Sequence, residues 1–565
     1  MNGDPSSEVG RVIGYPHDSE PLSFWVGVSP ESYLQLDDIT AVTSHIPERG
    51  EVTHYGIVDE VHSFYEGAKF ASDVFLVQDG VLPVGVATVA HVSVSRVESE
   101  PELFVPPRPG EAVRRATGDE RDKALYFDRM VDRLGRPRRF PIGLDRDGEA
   151  LWGSLDFLDG TYGAHINISG ISGVATKTSY ALFLLYGLFH SDVLGADRTN
   201  SRAINFNVKG EDLLFLDKPN AHLNEEEAAR YSALGLSPGR FEDISLWAPV
   251  SKETIGDPVP DTGFRREGVT PYFWSLRQFC QERLLRFLFT ETDAESTQIG
   301  FAVTEAEGYL EAKTRSQRGR GWIEIDGQRL TDFHDLVDHI TDNIEEVFRR
   351  SQLAPPTQQA FIRRLRHAEE MVGRLIRRTD TQEEETRHRI DWRAGQVNVI
   401  DINNLPDKAQ RFVVGVVLQQ ILADKEGGQR KPLAFVVLDE LNKYAPAEGR
   451  SPIKEVVLDI AERGRSLGVI LIGAQQTASE VERRVVANAA FRVVGRLDTA
   501  EAKRDEYGFL TPTARARSAI LKRGHMFLHQ PEIPVPLLVQ FPFPSWATRS
   551  EEVAEEEEAV VGFEE

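Results

Sequence analysis

A lysine and a threonine, side by side and opening a long apolar run, are the first residues here whose types and spacing could do chemistry. They close GISGVATKTS (170–179), which sits between the strand-like AHINISG (164–170) and the helix-like KTSYALFLLYGLFH (177–190). A strand–loop–helix of this kind suits a polyphosphate. Small residues let backbone N–H groups turn inward, the helix N-terminus adds positive potential, the lysine holds the terminal phosphates, and the hydroxyl ligates Mg2+. Lys177 and Thr178 fit those last two roles, with Gly170, Gly173, Val174, Ala175, Thr176 and Ser179 as the cradle. The spacing departs from the usual pattern by one residue. The places six before the lysine and directly before it, where glycines are usual, hold Ile171 and Thr176. An ordinary strand–turn–helix with an exposed lysine would read the same way, so the loop gains weight only from a partner motif downstream.

LAFVVLDELNKYAP (433–446) is an apolar strand that ends in two carboxylates. Ligands of open α/β sheets bind at that end of a strand. In a nucleotide hydrolase the Asp holds Mg2+ and the Glu polarises the attacking water. Asp439 and Glu440 take these roles, and the Mg2+ accompanies ATP. The next strand, VILIGAQQT, ends in Gln475, placed to sense the γ-phosphate or position the water, with Gln476 behind it. The helix before it (451–468) carries Arg463 and Arg465 near its end. Such arginines can stabilise a transition state in a neighbouring subunit, or can simply complement a helix C-terminus; spacing leaves both open.

These residues need a scaffold, and the rest of the chain reads as one. AINFNV (203–208), ISLWAPV (244–250), VNVIDI (397–402), LAFVVLD (433–439) and VILIGA (469–474) are apolar almost throughout, as are FPIGL (140–144) and FRVVGRL (491–497). Runs of this kind are expected in strands buried on both faces of a parallel sheet. Helices RFVVGVVLQQILADK (411–425) and SPIKEVVLDIAERGRSLG (451–468) fall between them, giving an α/β doubly wound core. Residues 265–392 show helical spacing without strand signals and read as an insertion. Residues 10–115 read as short strands, FWVGV, HYGIVDEV, VFLVQ and VGVATVAHVSV among them, in a small barrel or sandwich. The proline-rich, charged 101–121 reads as the linker out of it. The organisation is thus 1–115 β-domain, 116–264 first part of the core, 265–392 helical insertion, 393–548 second part of the core, and 549–565 acidic tail.

The order of these segments resembles the HerA family of hexameric ring ATPases, relatives of the FtsK DNA pumps. The resemblance is carried by the KT loop, by DELNKYAP, and by GRSLGVILIGAQQT. It implies a RecA-like P-loop ATPase core with a helical insertion and an N-terminal small β-barrel. It further implies a homo-hexamer that threads double-stranded DNA, with Arg463 or Arg465 reaching into the neighbouring site. FNVKGEDL (206–213) is similar to the family's second-strand segment, written DPxGEY; Glu211 matches, but Asn207 stands in place of the Asp. Asp401, at another strand end, is read as structural. The family's usual partner is a NurA-type nuclease acting in end resection. Relatives in defence islands pair with another nuclease or a sirtuin-like NADase. The alternative function is therefore a ring that binds ATP, turns it over slowly and activates such an effector.

For DNA contact, EAKTRSQRGRGW (311–322) clusters Lys313, Arg315, Arg318 and Arg320 among small residues, as either a phosphate grip or a solvated loop. The net charge of −24 argues against a uniformly basic surface, but eight of the glutamates lie in 551–565, and removing those eight from −24 leaves −16. Nucleic-acid contact must then be local. One cysteine, Cys280, forms no internal disulfide, and the longest apolar stretch, 181–189, is too short for a bilayer. The expectation is a cytoplasmic protein with no membrane partner. His165, on the strand before the KT loop, is read as a core side chain rather than a catalyst.

Overall fold

Alternating burial along six strands builds the N-terminal domain. The computed structural model of the chain describes residues 8–68, 70–171, 177–210, 212–252, 257–289, 297–318, 322–351, 353–379 and 381–554. Two units form: Met1–Leu155 with Phe491–Gln540, and Asp156–Ala490 with Phe541–Glu565. In the first, β1 (Glu8–Val12), β2 (Ser23–Val28), β3 (Ile39–Ile46), β4 (Gly50–Tyr65), β5 (Val86–Glu98) and β6 (Ala112–Arg115) close a barrel in the order β1-β2-β5-β4-β3-β6. Val12, Phe24, Val26, Val42, Val58, Val92 and Val113 fill it. Two readings change here. The 101–121 segment is more than a linker, because its AVRR forms β6, which pairs with both β1 and β3 and so closes the barrel. VFLVQ is a helix, Asp73–Gln78, with no buried residue. Its β-rich composition finds no strand to pair with between the arms of the β4–β5 hairpin, while the Asp73 carboxylate accepts the Phe70 N–H at 3.0 Å in the turn that leads into the helix. The hairpin β7 (Arg139–Leu144) and β8 (Ala150–Ser154) follows.

The second unit holds a parallel sheet that positions the site. Its strands are β9 (Ile166–Ser169), β10 (Ser201–Asn207), β11 (Ile244–Pro249), β12 (Val269–Tyr272), β17 (Val397–Asp401), β18 (Leu433–Leu438) and β19 (Val469–Gln475). The order is β12-β11-β17-β10-β18-β19-β9, with every pairing parallel. The strand ending in Gln475 thus lies between the KT-loop strand and the Asp-Glu strand, the order of a RecA-like P-loop core. The helix Lys177–His190 covers one face, with Phe189 edge-on to Phe435. Helices Asp407–Glu426 and Pro452–Leu467 cover the other, in one core with Ile204, Val436 and Leu471.

The insertion is mainly helical, but it contains strands that the periodicity did not signal. Its first residues supply β12 to the sheet, β13 (Trp274–Ser275) pairs with β16 (Ile376–Arg377), and β14 (Ile323–Ile325) with β15 (Gln328–Leu330) forms a small hairpin. Strands of two or three residues are too short to show a period of two. Back in the first unit, β20 (Phe491–Val494), β21 (His525–Gln530) and β22 (Ile533–Gln540) join β7 and β8 in an antiparallel sheet. FPIGL is therefore buried but antiparallel to both of its neighbours, β22 and β8, and FRVVGRL runs antiparallel to β21.

The beginning of the acidic tail is docked. Ala221 N–H donates to the Glu552 carbonyl at 2.8 Å and Ala554 N–H to that of Pro219 at 3.0 Å; residues 555–565 lie outside the described ones. Among the described residues, no helix is long and apolar enough to cross a membrane.

Candidate nucleotide-binding site

The C-terminal ends of β9, β10 and β18 open into a cavity of about 350 Å³ lined by Lys177, Thr178, Ser179, Asn207, Lys209 and Asp439, with Arg549 at its edge. Lys177 is the first residue of its helix and is 6% exposed. Its ammonium donates to the Gly170 carbonyl at 2.7 Å. Burial pushes its pKa down; Asp439 works against that shift and Lys209 adds to it. The Thr178 hydroxyl donates to Asp439 Oδ2 at 3.1 Å, joining residues 261 positions apart. Gly173, Val174, Ala175 and Thr176 lie outside the described residues, as do Glu211 and Arg320.

Glu440 follows Asp439 in the left-handed region, at φ +56° and ψ +46°, a conformation that costs a side-chain-bearing residue roughly 1 kcal/mol. Its N–H donates to Asp439 Oδ1 at 2.9 Å. The short helix Leu441–Tyr444 that continues from it lies on β19, where Gly473 leaves room; a Cβ there would run into Leu441 Cδ2.

Lys209, from the turn after β10, reaches this pair. Its ammonium is 3.1 Å from Glu440 Oε1 and 3.6 Å from Asp439 Oδ2. Burial works against its charge, but Asp439 and Glu440 outweigh that and raise its pKa. The turn is fixed from below. Asn207 Nδ2 donates to Asp401 Oδ1 at 2.9 Å and to the Gly210 carbonyl at 2.7 Å, and Gly210 N–H donates to Asn403 Oδ1 at 2.8 Å. Gly210 has a φ of +53°, which glycine adopts freely. An amide at position 207 suits its acidic neighbour, whereas a second carboxylate would repel it.

Gln475 points elsewhere. Fully buried, its Nε2 donates to Asn167 Oδ1 and Ser169 Oγ, each at 2.8 Å, and its Oε1 accepts from Asn167 Nδ2 at 3.3 Å. Its backbone carbonyl accepts the Gly170 N–H at 3.1 Å. Gln475 therefore supports the strand that leads into the phosphate loop and does not line the cavity. Arg463 is paired with Asp459 at 2.9 Å and Glu426 at 2.8 Å, while Arg465 donates to the carbonyls of Gly160 and Thr161; neither lines the cavity. His165 is 3% exposed and accepts the Leu471 N–H at 2.9 Å, and burial pushes its pKa down to about 4. Lys313 is bound to Asp326 and lies 3.5 Å from Glu346, while Arg315 and Arg318 are exposed.

Oxygen donors from a hydroxyl and a carboxylate are the hard ligands that Mg2+ prefers, and Thr178 with Asp439 fits them. Sequence reasoning missed Lys209, Asn167, Ser169 and Arg549. Asn167 and Ser169 did leave a signal, two polar residues on one face of an otherwise apolar strand; a lone lysine in a turn leaves none.

No protein-family model matches the chain, and no curated protein matches it. Solved structures do. VirB4 of Thermoanaerobacter pseudethanolicus is 16% identical, with 71% of this chain and 96% of that one covered and a TM-score of 0.44. The bacterial conjugative coupling protein TrwB, lacking its first 70 residues and in complex with sulphate, is 13% identical over 76% of this chain and 95% of its own, with a TM-score of 0.46. TrwB with ADP and Mg2+ is 14% identical over the same shares, with a TM-score of 0.42.

Proposed function

We propose that this chain is an ATP hydrolase of the HerA–FtsK kind, working in the cytoplasm as a homo-hexameric ring that translocates along double-stranded DNA and feeds a NurA-type nuclease. The observation that carries the hydrolase reading is the 3.1 Å contact between Thr178 Oγ1 and Asp439 Oδ2 in one cavity with Lys177 at the strand ends, Glu440 being next in sequence to Asp439. Bound there, Mg2+ would offset charge on the terminal phosphates. Thr178 and Asp439 would hold that ion, and Lys177 would leave the Gly170 carbonyl to meet the γ-phosphate. Glu440 accepts the proton of the attacking water. Gln475, through Asn167 and Ser169, reports the state of the loop to β19 rather than touching phosphate. Arg463 and Arg465, on a helix end, are the candidates for a contribution in trans.

The Lys177–Gly170 contact and the irregular loop favour a second reading, an ATP-binding ring that turns over slowly and activates a defence effector such as a sirtuin-like NADase. Steady-state ATP turnover with and without linear duplex DNA, alongside Lys177→Ala, separates the two. DNA-stimulated turnover that vanishes in the variant is the expected result. ATP binding without turnover above the variant would overturn the motor.

A further inference from the structure

Lys209 forms ion pairs with both carboxylates of the Asp439–Glu440 pair. Asp439 Oδ2, the oxygen it approaches, is also the one that accepts the Thr178 hydroxyl. A divalent ion held by Thr178 and Asp439 would thus lie within a few ångströms of the ammonium and be repelled by it. The lysine is not there by the accident of a long surface side chain, because its turn is fixed by the buried Asn207–Asp401 hydrogen bond, by the half-buried one from Asn207 to the Gly210 carbonyl, and by an exposed one from Gly210 N–H to Asn403.

We propose that Lys209 is a positioning residue that competes with the divalent cation for Asp439 and holds the Glu440 carboxylate until that cation displaces it. This rests on the hydrolase reading of the same cavity. Metal entry then has a direct consequence for the base. When the ammonium leaves Asp439, its pairing with Glu440 is lost as well, and the carboxylate becomes available to water. The left-handed backbone at Glu440 keeps the side chain near this position, and the lysine fixes its direction.

The test is Mn2+ binding to nucleotide-stripped full-length protein, read by electron paramagnetic resonance, for wild type, Lys209→Met, Lys209→Arg and Asp439→Asn. Like charges this close shift ionic equilibria by about one unit or more, so Lys209→Met should bind Mn2+ about tenfold more tightly than wild type. Lys209→Arg should keep the wild-type affinity, and Asp439→Asn should lose binding. Lys209 is half exposed, so the folded state tolerates the change, which a thermal melt verifies. If Lys209→Met binds Mn2+ no more tightly than wild type, including no binding by either, the proposal falls. It falls too if Lys209→Arg behaves like Lys209→Met, since packing rather than charge would then be at work. Failure of the hydrolase reading shows separately, as a trinitrophenyl-ATP affinity that Lys177→Ala leaves unchanged.

Discussion

At Glu440 backbone strain and chemistry coincide, since a left-handed glutamate persists only where its surroundings require it. Glu440→Gln keeps the shape and the Asp439 contact but removes the carboxylate proposed above as the base. ATP hydrolysis should fall by about 10²–10⁴-fold while the affinity for ATP stays within a few-fold, checked by single-turnover hydrolysis and equilibrium binding. Asn207 offers a sharper test of the turn. Asn207→Asp would set two carboxylates where the amide now meets Asp401 at 2.9 Å, both nearly fully buried. The pair would have to share a proton, costing about 3 kcal/mol at pH 7.5. A raised carboxyl pKa makes that cost present above it and relieves it as pH falls, so melts should show the variant approaching wild type near pH 5. His165 has the opposite environment. Its folded pKa of about 4 lies below the ordinary 6.5, so the unfolded chain takes up a proton first as pH falls. Stability should drop by about 3 kcal/mol between pH 6.5 and 4. His165→Asn, which tolerates the left-handed backbone there, should flatten that part of the denaturation profile.

Elements place these residues, and the approach of helix Leu441–Tyr444 to β19 is a close one. Gly473→Ala would push Leu441 away and tilt the segment that starts at Glu440. The expected result is a loss of turnover larger than the destabilisation, about 1–3 kcal/mol, explains; paired melts and turnover assays measure both. The elements that were legible in the sequence are those buried on both faces. LAFVVL, VILIGAQ and KTSYALFLLYGLFH form β18, β19 and the helix Lys177–His190 within a residue or so of the expected ends, because continuous apolar runs admit few alternatives. Legibility ended where the decision was made by a neighbour. VFLVQ lacks a strand to pair with, AVRR gains two, and neither fact is local to its own residues. Within the site, Thr178 and Asp439 could be named because each sits at a fixed offset from a strand or helix end. Lys209 could not, since its reach into the carboxylate pair depends on a turn held by residues 194 positions away.

For the whole molecule the issue is how a chain of net charge −24 could grip a polyanion. The acidic surface repels DNA at long range, so the proposed DNA binding has to come from a few local cations and has to be strongly salt-dependent. Not all candidates are equal. Lys313 is tied to Asp326 and Glu346 and lies over the Tyr309 ring, which leaves it little charge to offer a phosphate. Arg315 and Arg318 are exposed, with Glu311 as an acidic neighbour of Arg315. Each phosphate contact contributes about −0.9 to the slope of log affinity against log salt. The double variant Arg315→Ala/Arg318→Ala should therefore reduce the magnitude of that slope by about 2 without moving the unfolding midpoint, whereas Lys313→Ala should change it by less than about 1. Titrating fluorescent duplex DNA at several salt concentrations gives the three slopes. An unchanged slope in the double variant would shift the grip away from the insertion to loops of the parallel-sheet core, where the nucleotide cavity lies.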